Sequence, residues 1–373
     1  MNLILFFTRG NSLKTWDSVG MFDREVALYR RLQDKDCNVS FITYGGISEF
    51  EYESRIPGIN ILCNKWHLPT VVYQRLIPYL HASILRQADL IKTNQTNGAD
   101  VALRTAQIWN KPLIARCGYM WSLNMSRMFG EFSTNAQTAL KIETKVFSSA
   151  DKVVVTTPAM ASDIAQRIPD VAKWTVVIPN YVETERFAPS EKTQYTYDVI
   201  FVGRLSKEKN LPALLNAVKE LSVKTAIIGE GDLRSGFQKQ YVDSKTTITF
   251  LGNVPNRDLP LYLNQARLFI LPSLYEGHPK TLLEAMACGM PVIGTNSPGI
   301  REVITHGENG WLCETDAESI KNAINHLLAN PELCKKLGKK ARKYALDTVS
   351  LDRVLDMEIE VYSSVLGETN DTK

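Results

Sequence analysis

The fold of this chain is decided by the stretch Ser273-Leu-Tyr-Glu-Gly-His-Pro-Lys-Thr-Leu-Leu-Glu-Ala-Met-Ala-Cys-Gly-Met-Pro-Val-Ile-Gly294. The apolar run 268–271 before it predicts a buried strand. Pro279 is predicted at the first position of the following helix, where its missing N–H costs nothing. Gly289 predicts the end of this helix and Pro291 the start of the next strand. Strand, helix and strand in this order are the unit of a parallel α/β sheet.

Two carboxylates bracket the predicted helix start. Glu276 lies in the loop before the helix, and Glu284 lies about one and a half turns inside it. Because helix side chains tilt toward the N-terminus, Glu284 can lean toward the end that Glu276 approaches. Between them the first amides of the helix, those of Lys280, Thr281 and Leu282, are expected to form an anion site with the helix dipole. A nucleotide sugar, with phosphate between two hydroxylated rings, suits this arrangement; a capping and a solvated glutamate are the alternative for an isolated pair.

The length and composition limit the number of domains and the classes of protein to be considered. A chain of 373 residues with 44% hydrophobic content can bury two cores, so two domains are expected. The net charge of +3, from 43 basic and 40 acidic residues, does not indicate a nucleic-acid-binding protein. Positive charge is concentrated between Arg55 and Lys145, where eleven Lys or Arg stand against four Asp or Glu.

Targeting segments are not indicated either. No window approaches the roughly 18 uninterrupted apolar residues of a membrane span. The apolar run Leu3 to Phe7 is short and has no basic residue before it, so we expect a first strand rather than a signal peptide. Six cysteines follow no metal-ligand or disulfide spacing, which favours a reduced, cytosolic compartment.

Apolar runs alternate with amphipathic segments through the first half, as in parallel strands joined by helices. The predicted strands are 3–8, 39–44, 88–92, 112–115, 152–156 and 175–178, and the predicted helices are 21–32, 99–109, 135–148 and one starting at Thr157-Pro158. The polar loop Arg9 to Gly20, which includes Gly10, would place amides near a ligand at the sheet edge, although any tight turn uses glycine. Met125 to Phe129 is predicted as a Met-rich loop, either an acceptor surface or loop packing.

The segment from Trp66 to Leu85 mixes apolar and basic residues. Pro69 and Pro78 interrupt it, so two short helices are predicted. One interpretation is a cover for the sheet. The other is an interfacial segment that rests on anionic lipid, with Arg75 among its cations.

The second half begins after a polar crossing at Pro179-Asn180. Its predicted strands are 199–203, 225–228, 248–251, 268–271, 292–295 and 310–312, and its predicted helices are one from Leu211, 261–267, the helix after Glu276, 317–328, 331–344 and 351–366. Arg204 and Lys209 follow the first of these strands, where cations can meet the oxygens of a diphosphate. As a charge cluster alone, this would be a solvated loop.

These motifs, from Val202-Gly203-Arg204-Leu205 through the Gly229-Glu230-Gly231 turn to Glu276-x7-Glu284 and Gly299 with Glu302, resemble the family 4 retaining glycosyltransferases in order and spacing. The resemblance is strong over about Asp198 to Cys313 and weaker before it. It implies the GT-B fold, an α/β architecture of two doubly wound Rossmann-like domains facing across a cleft. The expected domains are 1–179 on the acceptor side, 180–350 for the nucleotide sugar, and 351–373 as a helix crossing back to the first domain, then a tail.

The resemblance also implies roles for individual residues. Arg204 and Lys209 would neutralise the diphosphate, Glu276 would hold the transferred sugar, and Glu284 would hold the ribose hydroxyls. Further donor contacts are implied for Gly10, Gly203, Gly231, Asn253, Val254, Gly277, His278, Pro279, Lys280, Thr281 and Leu282, and acceptor contacts for Arg116, Tyr119 and Trp121. Transfer would retain the anomeric configuration, and no cofactor or metal is expected.

Two features bear on these implied roles. Many relatives carry a histidine after the strand 112–115, where this chain has Arg116-Cys117-Gly118-Tyr119. Arg116 or Tyr119 would have to replace it, or the activity itself is in question. The Asp34-Lys35-Asp36 sequence lies far from the donor motif and is predicted to be solvated.

The hypothesis is a cytosolic glycosyltransferase that uses a nucleoside diphosphate-sugar and a glycan or lipid-linked glycan acceptor, as in bacterial surface polysaccharide synthesis, with peripheral contact to the anionic inner membrane face. The alternatives are a non-catalytic nucleotide-sugar-binding subunit of a transferase complex and an epimerase or phosphorylase of the same fold.

Overall fold

The structure, a computed structural model, describes residues 1–190, 194–241 and 248–371. The chain forms two compact units. The first comprises Met1–Ser18, Glu25–Pro179 and the chain from Leu355 onward; the second comprises Val19–Arg24 and Asn180–Val354. Residues 372 and 373 of the predicted tail lie outside the described residues.

The first unit is built on a seven-stranded parallel sheet. Its central strands are buried on both faces, which explains continuous apolar runs such as Val153-Val154-Val155. The seven strands are β1 (Asn2–Phe6), β2 (Asn38–Ile42), β3 (Asn60–Leu62), β4 (Leu90–Thr93), β5 (Leu113–Cys117), β6 (Lys152–Val155) and β7 (Thr175–Val177). In the order β3-β2-β1-β4-β5-β6-β7, strand addition changes direction between β1 and β4. Open parallel sheets bind ligands beyond the strand ends at such a switch point.

Helices and two 3₁₀ segments connect these strands. They are α1 (Leu13–Ser18), α2 (Phe22–Gln33), α3 (Thr70–Leu80), α4 (Ala82–Leu85), α5 (Ala99–Trp109), α6 (Trp121–Phe129), α7 (Thr134–Ser149) and α8 (Pro158–Arg167), with 3₁₀ segments at Ile47–Arg55 and Pro169–Trp174. Polar caps set two of the helix starts. Ser133 accepts from the amide of Ala136, and Thr157 accepts from that of Met160, both at 3.2 Å.

Two loop predictions for this unit are wrong. The predicted loop Arg9 to Gly20 contains α1, whose first amides, of Leu13 and Lys14, donate to the Glu49 carboxylate at 2.8 and 3.3 Å. The predicted Met-rich loop is the second half of α6. In both cases a carboxylate from a distant part of the chain accepts hydrogen bonds at the helix start, Glu49 at α1 and Glu143 at α6, where it accepts from the Ser122 amide. At α1 the Ser12 hydroxyl, a local cap, also accepts from the Thr15 amide at 3.0 Å.

The segment 66–85 forms two helices as predicted, but the break lies at His81 rather than at a proline. Pro78 lies inside α3. A proline removes one helical hydrogen bond, which frees the carbonyl four residues earlier. Here that carbonyl belongs to Gln74, and it accepts a hydrogen bond from the Arg104 guanidinium. A tertiary contact therefore lets the helix continue through Pro78.

The second unit is built on a six-stranded parallel sheet. Its strands are β8 (Tyr197–Val202), β9 (Thr225–Ile228), β10 (Ile248–Gly252), β11 (Ala266–Leu271), β12 (Val292–Thr295) and β13 (Trp311–Cys313). The order β10-β9-β8-β11-β12-β13 puts the switch point between β8 and β11. Loops after these two strands are therefore expected to hold a ligand.

The helices of this unit lie on both faces of its sheet. They are α9 (Leu211–Lys219), α10 (Arg234–Tyr241), α11 (Leu259–Leu263), α12 (Lys280–Ala287), α13 (Ala317–Leu328) and α14 (Pro331–Val349), with 3₁₀ turns at Lys207–Lys209 and Asn256–Asp258. The predicted helix 261–267 ends too late, because Ala266 and Arg267 already belong to β11. Asp316 caps α13 by accepting from the amide of Ser319 at 2.9 Å.

The last helix, α15 (Leu351–Asp371), joins the first unit from Leu355 onward. Lys92, fully buried in β4, donates to Glu358 at 2.6 Å and to the Tyr362 hydroxyl at 2.8 Å. Burial lowers the pKa of Lys92, and the Glu358 charge opposes that shift. None of the described helices combines the length and the apolar character needed to cross a membrane.

Candidate functional site

The loops after β8 and β11 meet through a short ion pair. Lys209 Nζ donates to Glu276 Oε1 at 2.6 Å, and the Ser273 hydroxyl donates to the same oxygen at 2.6 Å. The Lys209 and Glu276 side chains are 19% and 12% exposed, so the pair is partly open to solvent. It bridges the switch point of the second sheet, and within the described residues Glu276 Oε2 and two Nζ protons remain for other partners.

Arg204 lies two residues after β8 and is exposed. No residue in the described part of the chain pairs with its guanidinium. Its loop is packed through glycines: a Cβ on Gly229 would lie 2.0 Å from the Gly203 carbonyl oxygen, and one on Gly231 would lie 2.3 Å from the Leu205 oxygen. The missing side chains of Gly229 and Gly231 thus let the loop after β9 approach the loop that carries Gly203 and Arg204, and Arg204 projects from this loop as an available cation.

The helix α12 begins one residue later than predicted. Pro279 precedes the helix, with φ −75° and ψ 99°, and Lys280 is its first residue. The amides of Lys280, Thr281 and Leu282 therefore stand at the open N-terminus. Buried apolar side chains such as Leu282 hold α12 against the sheet.

The loop that precedes α12 is fixed by two close approaches. A Cβ on Gly299 would lie 2.5 Å from the carbonyl oxygens of both Glu276 and Gly277. His278 is buried and accepts a hydrogen bond at Nδ1 from the Asn180 amide at 3.0 Å, while its own carbonyl accepts from Asn180 Nδ2 at 2.7 Å. In this structure His278 anchors the loop to the start of the second unit.

Glu284 is almost completely buried, with 2% of its side chain exposed. Oε1 accepts from Asn256 Nδ2 at 2.8 Å and pairs with the Arg24 guanidinium at 3.2 Å. Oε2 has no hydrogen-bond partner among the described residues, and neither does Asn256 Oδ1. These two buried acceptor oxygens therefore have no donor among the described residues, which is unfavourable unless a ligand or a water molecule donates to them.

Sequence reasoning missed Arg24 and Asn256. Asn256 lies two residues beyond the predicted pair Asn253 and Val254, after β10. This proximity in sequence is the only feature that could have indicated a role for Asn256 in the site. Arg24 belongs to the segment Val19–Arg24, which groups with the second unit although it precedes that unit by more than a hundred residues.

This early segment is held at the loop after β10 by its glycine. Gly20 has φ +76°, and a Cβ there would lie 2.7 Å from the Val254 carbonyl oxygen. The Asn256 amide donates to the Gly20 carbonyl at 2.7 Å. No local pattern in the sequence indicates this long-range contact.

In the first unit, a second ion pair bridges the switch point between β1 and β4. Arg9 lies 2.5 Å from Asp100, at the start of α5. Gly10 beside it is exposed with φ +80°, and open space surrounds its Cβ position. Tyr44 follows β2, and burial raises its pKa to about 12, so its hydroxyl stays protonated.

The predicted acceptor residues lie at the end of β5. Arg116 is inside this strand, and its guanidinium donates to the Asn94 carbonyl at 3.3 Å. Tyr119 and Trp121 are partly exposed, and Trp121 starts α6. Beside them Glu143 accepts from the Ser122 amide at 3.1 Å, and burial raises the pKa of this carboxyl.

The histidines of the first half lie elsewhere. His81 is buried and shares a 2.9 Å hydrogen bond with the Tyr73 hydroxyl, and burial lowers its pKa to about 4. His67 is exposed in the loop before α3. The prediction that Asp34-Lys35-Asp36 is solvated is confirmed. The residues that the structure describes contain no group of three His, Cys, Asp or Glu side chains placed to hold a metal ion.

Two family models match consecutive parts of the chain. The one described as Glycosyltransferase Family 4 matches residues 26–186, and the one described as Glycosyl transferases group 1 matches residues 182–344. An uncharacterised glycosyltransferase of Methanocaldococcus jannaschii is 26% identical over 53% of this chain and 55% of that protein. The N-acetyl-alpha-D-glucosaminyl L-malate synthase of Bacillus anthracis is 29% identical over 47% of each chain. The matches thus span about half the length of these relatives.

Solved structures resemble the whole chain. Sucrose-phosphate synthase from Thermosynechococcus elongatus has a TM-score of 0.81 and 20% identity, over 99% of this chain and 100% of that one. The Anabaena protein HepE in complex with UDP and glucose has a TM-score of 0.76 and 19% identity, over 97% and 99%. The predicted fold of two doubly wound parallel α/β domains of the GT-B class is confirmed.

Proposed function

Since the chain belongs to the family 4 glycosyltransferases of group 1, we propose that it transfers a sugar from a nucleoside diphosphate-sugar to a hydroxyl group of a glycan or lipid-linked glycan. The observation that carries this proposal is the buried acceptor pair of Glu284 Oε2 and Asn256 Oδ1, which lack donors within the described residues. The ribose of a nucleotide supplies two adjacent hydroxyl donors. The nearby start of α12 and the exposed Arg204 supply positive charge for a diphosphate.

Each part of the donor is assigned to particular residues of the site. Arg204 and Lys209 neutralise the diphosphate, Glu284 holds the ribose, and Glu276 holds the transferred sugar through the oxygen that Lys209 and Ser273 leave open. The amides that follow Gly277 meet the sugar and the phosphate, and Asn253 and Val254 lie beside the base. HepE, which shares this fold, is a protein whose structure contains UDP and glucose, and this supports a nucleotide-sugar donor.

The proposed reaction retains the anomeric configuration. The bond between the anomeric carbon and the phosphate oxygen breaks, and a bond to the acceptor oxygen forms on the same face of the sugar. The acceptor proton passes to the departing diphosphate. Arg204 and Lys209 act where negative charge develops in the transition state. Electrostatic stabilisation of this kind is the largest single contribution to the rate enhancement of many enzymes. The cations of the chain supply this stabilisation, so we propose that no metal is required.

The test is turnover by the purified full chain. A panel of nucleoside diphosphate-sugars is incubated with a glycolipid acceptor extract, and nucleoside diphosphate release and the anomeric configuration of the product are measured. We expect release that depends on acceptor, is insensitive to a chelator, and falls about 10²–10³-fold in Arg204→Ala. Arg257→Ala, at an exposed arginine of the same unit, should behave as wild type.

Other outcomes identify the alternatives. Donor consumption without acceptor would indicate an epimerase or hydrolase, and dependence on inorganic phosphate would indicate a phosphorylase. Nucleotide binding without turnover for any donor and acceptor would indicate a non-catalytic subunit. We further propose a cytosolic location with acceptors at the inner membrane face, as in surface polysaccharide synthesis.

A further inference from the structure

The outward face of α3 is apolar along its length. Its exposed residues Val71, Val72, Leu76 and Tyr79 have 57, 39, 37 and 62% of their surface accessible. At 100° per residue they lie within an arc of about 140°, opposite the fully buried Tyr73 and Ile77. Contiguous exposed apolar strips of this kind mark interaction surfaces.

The chain around this strip is basic and contains no acid. From Ser54 to Ala88 the sequence has four cations and neither Asp nor Glu. Arg75 lies within the apolar arc, and Lys65 and Arg86 are also exposed. Within the described residues no acidic side chain pairs with these three cations. Their charge is therefore available to a partner.

Two of the cations lie at the carboxyl end of α3. Lys65 Nζ is 5.2 Å from the centre of the Trp66 ring, which is 5.4 Å from that of His81, the residue that ends the helix. Arg86 lies 4.8 Å over the Trp109 ring, whose Nε1 donates to the Pro78 carbonyl at 2.9 Å. Aromatic residues with one polar edge, next to cations, are typical of membrane–water interfaces.

We propose that this α3 surface, made of Val71, Val72, Arg75, Leu76 and Tyr79 with Lys65, Trp66 and Arg86 at its end, docks on a bilayer that contains anionic lipid. The helix would lie in the plane of the interface, with its apolar arc at the acyl boundary and its cations among the headgroups. A second copy of the chain is a poorer occupant, because a two-fold contact would bring the same unpaired cations together.

Two other surfaces are either basic or apolar, but not both, and they provide matched controls. The exposed lysines of α14, including Lys339 and Lys340, are strongly basic but lack an apolar strip. The end of α6 and the loop after it expose Met128 and Phe132, but Arg127 there is balanced by Glu131. Binding through charge alone or through apolar contact alone would use these surfaces instead.

The experiment is vesicle flotation of the full chain, without donor or acceptor, so its result is independent of sugar transfer. Phosphatidylcholine vesicles are compared with and without phosphatidylglycerol. We expect salt-sensitive binding to the anionic vesicles only. Arg75→Gln/Arg86→Gln should lower the partition coefficient about 25-fold, which corresponds to about fivefold per cation. Val71→Ser/Tyr79→Ser should lower it at least tenfold.

The partition coefficients of the two controls, Lys339→Gln/Lys340→Gln and Met128→Ser/Phe132→Ser, should stay within about twofold of the wild-type value. The reason is that only residues close to the bilayer surface contribute to binding. All substituted side chains are exposed, so unchanged circular dichroism and thermal unfolding should accompany the loss. Failure of the wild type to bind anionic vesicles would overturn the proposal, and so would an equal loss in either control. Self-association that the Val71→Ser/Tyr79→Ser variant abolishes, without vesicle binding, would assign the surface to a second copy.

Discussion

Replacement of Glu284 by glutamine should weaken nucleotide binding selectively. The buried carboxylate uses Oε1 for Asn256 and Arg24 and leaves Oε2 without a partner in the described residues. Glutamine keeps the shape and can still accept from Asn256, but it removes the charge that strengthens a bond from a ribose hydroxyl. A charge-assisted hydrogen bond contributes about 1.5–3 kcal/mol and a neutral one about 0.5–1.5 kcal/mol. The expected loss of about 1–2 kcal/mol corresponds to about 5–30-fold in Kd.

Isothermal titration calorimetry with a nucleoside diphosphate and with inorganic pyrophosphate measures this effect. Glu284→Gln should bind the nucleoside diphosphate more weakly and pyrophosphate as the wild type does, because the ribose contact is the only ligand contact proposed for Glu284. Glu308→Gln, at an exposed glutamate of the same unit, should change neither affinity. Unchanged nucleoside diphosphate affinity in Glu284→Gln, or an equal loss for pyrophosphate, would refute the assignment of this residue to the ribose.

Three further predictions concern the stability of the two units. The pKa of His81 is depressed to about 4, so its contribution to the free energy of unfolding is fully present above pH 6.5 and is lost as pH falls toward 4, by about 2 kcal/mol at pH 5. In urea unfolding at pH 7.5 and pH 5, the free energy of unfolding of His81→Gln should therefore change by about 2 kcal/mol less than that of the wild type. An equal change in both proteins would contradict this. Lys92→Met leaves Glu358 buried without its partner and should cost about 3–5 kcal/mol, most of which Lys92→Met/Glu358→Leu should restore in denaturant melts. Gly229→Ala, where φ is +129°, should cost roughly 1–3 kcal/mol and also weaken nucleotide binding, whereas Gly236→Ala, which has open space around its Cβ position, should do neither.

Much of the second unit could be predicted because its cues are local. The sequence predicts the observed bounds of the strands Thr225–Ile228 and Val292–Thr295 and of the helix Ala317–Leu328. Each is a compact apolar or amphipathic run bounded by glycine, proline or a capping residue. The approach of Lys209 to Glu276 also follows from sequence, since parallel strand ends meet at one edge of a sheet.

The missed features depend on contacts between distant parts of the chain. The start of α1 is stabilised by Glu49, and α3 continues through Pro78 because Arg104 satisfies the freed carbonyl. The edge strand β3 has three residues, too few for a periodic pattern. The contact of Arg24 with Glu284 joins residues 260 positions apart, and no local pattern indicates it.

A crystal structure of the chain with the nucleoside diphosphate that most raises its melting temperature tests the donor site most directly. The account predicts phosphate oxygens within hydrogen-bond distance of the Arg204 guanidinium and Lys209 Nζ, and ribose hydroxyls on Glu284 Oε2. A nucleotide bound elsewhere, or one that leaves Glu284 Oε2 without a partner, would contradict it.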